Sequence, residues 1–407
     1  MSLHNSQQTR RAVLGLALVA LPLSAAATNG LYQHGYSIKD SALAGSGMAL
    51  PQDALAAASN PAGMVFVDDR FDIGLSWFSP MRDYTVVGPP SGGFPPLPGP
   101  TVESGSENFV IPTFGWKRSV GERGAFGISV YGNGGMNTDW DANDTPSFPT
   151  PVGTFNGTFL AGDTGVDYMQ LFANVSYSRK FGENASWGIG GILNYSRLEM
   201  RGIQSFAPFS VEPNKLSDNG HDDAFGVGAI ASIHGKVAPN LSLSAAYQSE
   251  VKNEFDEYSG LFAKGGELNI PAWVGGGLAW EPNDRSALTF AVQHIFYEDV
   301  EAIGNDATGD PNGGGGLFAC GAGDVSRCLG AGKDATGFGW NDMTVYKIGY
   351  QWDTANDWTW RVGFSTGDQP IPKDEVTFNI IAPGVMEEHF TFGFTKALEK
   401  DRELSVG

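Results

Sequence analysis

Four features of this 407-residue chain have residue types and spacings that could do chemistry. The run Gly363-Phe364-Ser365-Thr366-Gly367 matches the Gly-x-Ser-x-Gly turn of a hydrolase, which must open a helix after its serine. Here "DQPIP" follows, and no helix starts there. Residues 139–144, "DWDAND", begin like a calcium loop. Yet Asp144 stands where that loop needs glycine for its sharp turn, and Thr150 where it needs a bidentate glutamate. The histidines at 34, 221, 234, 294 and 389 are scattered, without metal or triad spacing. Cys320 and Cys328 share the Gly-rich stretch "GLFACGAGDVSRCLG"; a zinc site would need two more ligands, and no histidine lies near. In an oxidising compartment the two cysteines are expected to pair and close a small loop. No catalysis is legible, and no metal or cofactor is expected.

The compartment follows from residues 1–27. Arg10 and Arg11 form a basic n-region, Ala12 to Leu21 an apolar core, and Ala25-Ala26-Ala27 a cleavage site, which together make a secretory signal peptide. Its removal takes two arginines and no acid, so the net charge of -20 becomes -22. Such acidity argues against nucleic acid as a partner. Charged residues are only 17% of the chain, aromatics reach 12%, and glycine occurs 56 times. No apolar run approaches the ~18 residues a spanning helix needs.

Any working residues must therefore be positioned by strands. Met169, Leu171, Ala173, Val175 and Tyr177 alternate with Gln170, Asn174, Ser176 and Ser178, Phe172 being the exception. Leu241, Leu243, Ala245 and Tyr247 alternate with Ser242, Ser244 and Gln248. Trp358, Trp360, Val362 and Phe364 alternate with Thr359, Arg361, Gly363 and Ser365. Dyads of this length suit a transmembrane β-barrel, apolar toward lipid and polar toward the lumen. A sandwich strand alternates too, but connection lengths separate the two folds. Short turns ("VGERGA", "FGENAS", "VAPNL", "EPNDRS", "WDTANDW", "LEKDRE") take turns with long connections at 81–106, 132–166, 207–219, 255–266, 302–338 and 368–384. Short turns at one end and long loops at the other are the barrel arrangement. Twelve strands and the start of a thirteenth at 402–406 are counted. Barrels of this kind close on an even number, so the chain is expected to lack the rest of strand 13 and all of strand 14.

Residues 28–69 show little alternation. Pro51 suits a first helical position, Asp53 a helix N-terminus, and Ala54 to Ala58 a helix interior. Pro61 ends it by biasing Asn60 away from helical angles. A short helical segment ahead of a closed barrel is expected to fill the lumen as a plug, with Asn60, Pro61 and Ala62 fixing its last turn before the wall at 70–407.

The blocks "TNGLYQHGYSIKDSALAGSGMALPQDALAAASNPAGM", "VYGNGGMNTD", "GVDYMQLF", "FGWNDMTVYKIGY" and "QPIPKDEVTFNIIAPGVMEEHFTFGF" together resemble the FadL-type transporters of Gram-negative outer membranes. Those carry long-chain fatty acids or aromatic hydrocarbons, and the likeness spans the mature chain. It implies an all-β, 14-stranded monomeric barrel with an N-terminal hatch. A hydrophobic molecule would be captured among the loops and passed to a deeper pocket. Hatch movement would then release it sideways into the outer-membrane lipid beside a kinked third strand. In this sequence Gly132, Gly134 and Gly135 could supply the kink, or simply begin the next loop. The groove implied by the resemblance falls on Phe206, Phe209, Leu261 and Phe262. Fatty-acid carboxylates would be met by cations, for which Arg201 and Lys333 match the family best; Arg197, Lys347 and Arg361 are further candidates. Long-chain fatty acids are the first substrate expectation. Aromatic hydrocarbons or alkanes become the better one if no cation lines the pocket. A barrel whose loops only adhere, and an outer-membrane lipase, are the competing classes.

Overall fold

A period of two in a wall one strand thick has a simple consequence: one face is dry and the other wet. In the computed structural model, which describes residues 28–88, 96–151, 153–309, 315–399 and 401–407, that consequence is realised in a single antiparallel sheet of 13 strands. The strands are β1 (Arg70–Phe78), β2 (Phe109–Val120), β3 (Gly124–Trp140), β4 (Thr164–Lys180), β5 (Ala185–Arg201), β6 (Asp222–Ala238) and β7 (Leu241–Gln248). They continue as β8 (Trp273–Asn283), β9 (Ser286–Ile295), β10 (Met343–Thr354), β11 (Trp358–Gly367), β12 (Glu388–Leu398) and β13 (Arg402–Val406). Each pairs with its sequence neighbour. Arg70 on β1 pairs with Glu403 on β13, so the sheet curls round until its first and last strands meet. The signal-peptide expectation at 1–27 lies outside the described residues.

Exposure inverts that of a soluble protein. Phe71, Ile73, Leu75 and Trp77 on β1 are between 69% and 77% exposed, while Asn174, Ser176, Ser178, Ser186 and Ser196 are buried. Outward apolar and inward polar side chains are what a lipid-facing barrel requires. No helix among the described residues is long and apolar enough to cross a membrane.

Short reversals join β2 to β3, β4 to β5, β6 to β7, β8 to β9, β10 to β11 and β12 to β13; the other six connections are long. Between β10 and β11, Asn356 and Asp357 sit at φ 63° and 61°, the left-handed pair that a tight hairpin needs. Strands extend further toward the long loops than their apolar alternation suggests. The third strand continues through "GNGGMNTDW" to Trp140, so the connection expected over 132–166 shrinks to 141–163. Beyond the lipid band nothing demands an apolar outer face, and the alternation lapses while the hydrogen-bond ladder continues.

The N-terminal segment lies against the concave face. Instead of one helix it forms a short α-helix, Ile38–Ser41, a 3-10 turn, Gly47–Ala49, and then two longer 3-10 stretches, Ala54–Ala58 and Pro61–Phe66. The Asp53 carboxylate caps Ala54–Ala58 by accepting from the Leu55 amide at 3.1 Å; Pro51 lies outside it. Pro61 opens a further stretch rather than ending the segment, because a missing N–H is harmless at a first position. Inward polar side chains of the wall receive the segment. Asn60 Nδ2 donates to Met48 O at 2.8 Å and to Ser244 Oγ at 3.0 Å. Ala62 donates to Ser232 Oγ at 2.8 Å and accepts from Ser186 Oγ at 2.7 Å. The Asn60-Pro61-Ala62 triplet is thus bonded to β5, β6 and β7.

Candidate functional site

The inward face is not polar along its whole length. On β4 the inward residues nearest the short turns are Asn174, Ser176 and Ser178, whereas toward the loops they are Val166 and Tyr168. On β5 the same face changes from Asn194 and Ser196 to Leu198 and Met200. This change of polarity builds a cavity of about 40 Å³ between the wall and the long loops. Met136 on β3 joins Val166, Tyr168, Leu198 and Met200; the loops add Phe262, Leu268, Ile303, Phe338, Trp340 and Ala382, and the N-terminal segment adds Leu31. Among the described residues no polar atom is exposed to it. The Trp340 indole N–H is turned away, donating to Asn379 Oδ1 at 2.6 Å.

Of the four groove candidates, Phe262 lines this cavity. Leu261 and Phe206 are buried in the loop core beside it. Phe206 belongs to a run of contacting rings: Phe159 to Phe206 at 5.2 Å, Phe206 to Phe378 at 5.5 Å, and Phe378 to Phe338 at 5.0 Å. That run ends on a cavity residue. Phe209 packs against the edge of the same core, its carbonyl accepting from the Leu329 amide at 2.9 Å, under the loop that the Cys320–Cys328 disulfide closes.

None of the candidate cations faces the cavity. Arg201 points to Asp139 at 2.9 Å and Glu199 at 3.9 Å on the outer rim. Arg197 faces Asp223 at 3.9 Å, and Lys333 is exposed. Lys347 and Arg361 do face the lumen but serve the N-terminal segment: Lys347 donates to His34 O at 3.2 Å and Arg361 to Gln52 Oε1 at 2.8 Å. A serine–histidine contact also appears, Ser365 Oγ to His389 Nδ1 at 3.2 Å. The pair is buried in the lumen, facing away from lipid, and among the described residues His389 Nε2 meets no carboxylate of the kind that orients the histidine of a triad.

Beside the cavity the wall is interrupted. The β2–β3 pairing stops at Thr113↔Tyr131; above it Phe109 to Pro112 pair with β1 and the upper half of β3 with β4. The gap is closed again at the top, where Ser104 bridges to Trp140 and the Gly105 amide donates to the Asp139 carbonyl at 2.8 Å. Within β3 the register against β4 jumps from Leu171↔Gly132 to Gln170↔Gly134. Asn133 is the extra residue of a bulge, the device by which strands bend and redirect a side chain. Its side chain donates to Gln170 Oε1 at 2.7 Å and accepts from Tyr36 OH at 3.1 Å. All three candidate kink glycines therefore lie inside a strand. A Cβ on Gly134 would stand 1.7 Å from the Leu31 carbonyl, and one on Gly132 2.7 Å from Ile111 Cγ2. The N-terminal hairpin, Thr28–Asn29 paired with Tyr32–Gln33, and Ile111 together stand against the interruption.

The segment's own titratable groups are strongly perturbed. Burial pushes Asp40 up to about 6, against the nearby Lys347 charge and the Gly47 amide that donates to it at 3.0 Å. Burial raises Asp53 as well, and raises the Tyr32 and Tyr36 phenols well above their ordinary range.

Comparison with known proteins accords with this geometry. A FadL homologue from Pseudomonas aeruginosa superposes with TM-score 0.61 at 18% identity, over 92% of this chain and 89% of that one. The Pseudomonas putida toluene transporter TodX gives 0.59 at 17% identity, over 93% of each chain. The Ralstonia pickettii toluene transporter TbuX gives 0.60 at 16%, over 91% and 92%. No curated protein matches by sequence. The family model for outer membrane protein transport proteins (OMPP1/FadL/TodX) matches residues 18–407, and the chain belongs to that family of outer-membrane β-barrels that transport hydrophobic compounds.

Proposed function

We propose that this barrel takes up small uncharged hydrophobic compounds, aromatic hydrocarbons foremost, and delivers them sideways into the membrane between β2 and β3. The observation that carries the reading is the lining of the cavity, where no polar atom and no cation of the described residues is exposed. A carboxylate buried there would go unpaired at a cost of several kcal/mol or more. An aromatic hydrocarbon pays nothing and gains about 25 cal/mol for each Å² removed from water. Two of the similar folds are toluene transporters, which supports the same substrate class.

The route follows the aromatic run Phe159–Phe206–Phe378–Phe338, buried rings packed one on the next among the loops and ending at the cavity, which an entering solute has to part. It ends at the interruption above Thr113↔Tyr131, where residues 28–33 act as the hatch and Ile111 as the outer flap. Sideways exit keeps the solute dry, whereas a water-filled pore would return it to the solvent it left. Uptake of radiolabelled toluene and of oleate, in cells with and without the protein at limiting concentration, tests the reading. Toluene uptake that depends on the protein is expected. Dependence of oleate alone would return the assignment to fatty acids, and Arg201 and Lys333 would then have to swing inward.

A further inference from the structure

Tyr297 lies two residues past the end of β9 and is fully buried. Its hydroxyl donates to the Asn29 carbonyl at 2.6 Å and accepts from the Leu31 amide at 2.9 Å. One phenol thus clasps both sides of Gly30. That glycine sits at φ 63°, and a Cβ on it would lie 2.5 Å from the Tyr297 hydroxyl and 3.0 Å from Trp340 Cζ3. The Tyr297 ring meets Trp340 edge to face, centroids 5.1 Å apart. Leu31 and Trp340 both line the cavity. Tyr297 therefore touches two residues of the cavity lining without being part of that lining itself.

The cavity is too small to be filled without consequence. At about 40 Å³ it falls well short of the roughly 150 Å³ of a cavity known to hold benzene. The strand residues of the lining are held by ladders. Leu31 lies in the turn of a hairpin with two-residue strands, outside the ladder of the wall, and its amide is held by the Tyr297 hydroxyl.

We propose that Tyr297 is the latch that couples filling of the cavity to release of the hatch: a ligand that displaces Leu31 or Trp340 breaks both hydrogen bonds to the hatch backbone. Asn29 to Leu31 then leave Gly134, and the interruption between β2 and β3 is uncovered. This rests on the uptake reading above and adds the residue that transmits occupancy. Tyr297 is a positioning residue. The coupling satisfies the requirement that a ligand shift an equilibrium only by differential affinity, since the latched cavity cannot accommodate the ring and the unlatched one can.

The test is amide exchange at Leu31 in the full-length barrel in detergent, with and without saturating toluene, alongside toluene binding by equilibrium dialysis. Wild type is expected to exchange about tenfold faster with toluene, the effect of losing one or two hydrogen bonds of ordinary strength. Tyr297→Phe is expected to exchange fast in both conditions. Gly30→Ala delivers the same lesion from the hatch side and stands in if Tyr297→Phe does not fold. Toluene bound with Leu31 exchange unchanged or slowed overturns the latch and leaves the uptake reading intact. Absence of toluene binding overturns the uptake reading, and the latch with it.

Discussion

Replacing Phe262 with alanine should convert a cavity that opens only by strain into one that is ready to bind. Phe262 is 2% exposed and lines the apolar cavity. Removing its ring frees roughly 100 Å³ if the surroundings do not collapse, and costs about 3–5 kcal/mol of stability. Added to the existing 40 Å³, this approaches the roughly 150 Å³ that holds a benzene ring. Toluene at a hundredfold excess over its dissociation constant should then restore about 2.7 kcal/mol. The assay is guanidinium unfolding of the purified barrel, wild type and Phe262→Ala, with and without toluene. The variant should lose stability alone and recover about half or more of the loss with toluene, a larger shift than wild type shows. A variant that is destabilised but recovers nothing would refute the assignment of this cavity as the hydrocarbon site.

Other consequences concern the hatch. Deleting residues 28–66 should raise ion conductance sharply in planar bilayers, and unchanged conductance would defeat the plug. Asn60→Ala removes two hydrogen bonds and leaves buried acceptors, costing about 1–3 kcal/mol; urea should then trigger channel openings at a lower concentration than in wild type. Asp40 is an acid whose folded pKa, about 6, is raised above the ordinary 3.8. The folded state therefore binds the proton more tightly, and stability falls as pH rises between those values. Hatch unfolding monitored from pH 4 to 7 should become easier across that window, and Asp40→Asn should flatten the profile.

Much of the wall was legible because lipid enforces it. Each apolar residue at positions 169, 171 and 175, or 241, 243 and 247, reports a side chain that must face hydrocarbon, and the alternating connection lengths order the strands. Where lipid ends, that signal ends, which is why β3 past Tyr131 reads as loop. The cavity had a signal that period-two reading alone does not use: the inward residues change from Asn174 and Ser176 to Tyr168 and Val166 along β4, and from Asn194 and Ser196 to Leu198 and Met200 along β5. Following one face along its length, in place of contrasting the two faces, would have located it. Likeness to the family points to Arg201 and Lys333, but the position of a cation in the sequence does not reveal its partner. Arg201 is taken by Asp139 and Glu199. Tyr297 was illegible, since a lone tyrosine after a strand acquires its role only when residues 29–31 fold back across more than 260 positions.

The central claim is exit through the wall between β2 and β3, and a staple across that interruption tests it most directly. A Cβ on Gly132 would lie 2.7 Å from Ile111 Cγ2, so Ile111→Cys with Gly132→Cys places two thiols face to face across the gap. Toluene uptake should fall to the level of cells lacking the protein when the pair is oxidised. Dithiothreitol should restore it, with wild type under the same reductant as the control for the Cys320–Cys328 bond. Undiminished uptake through the oxidised, fully cross-linked barrel would contradict lateral release.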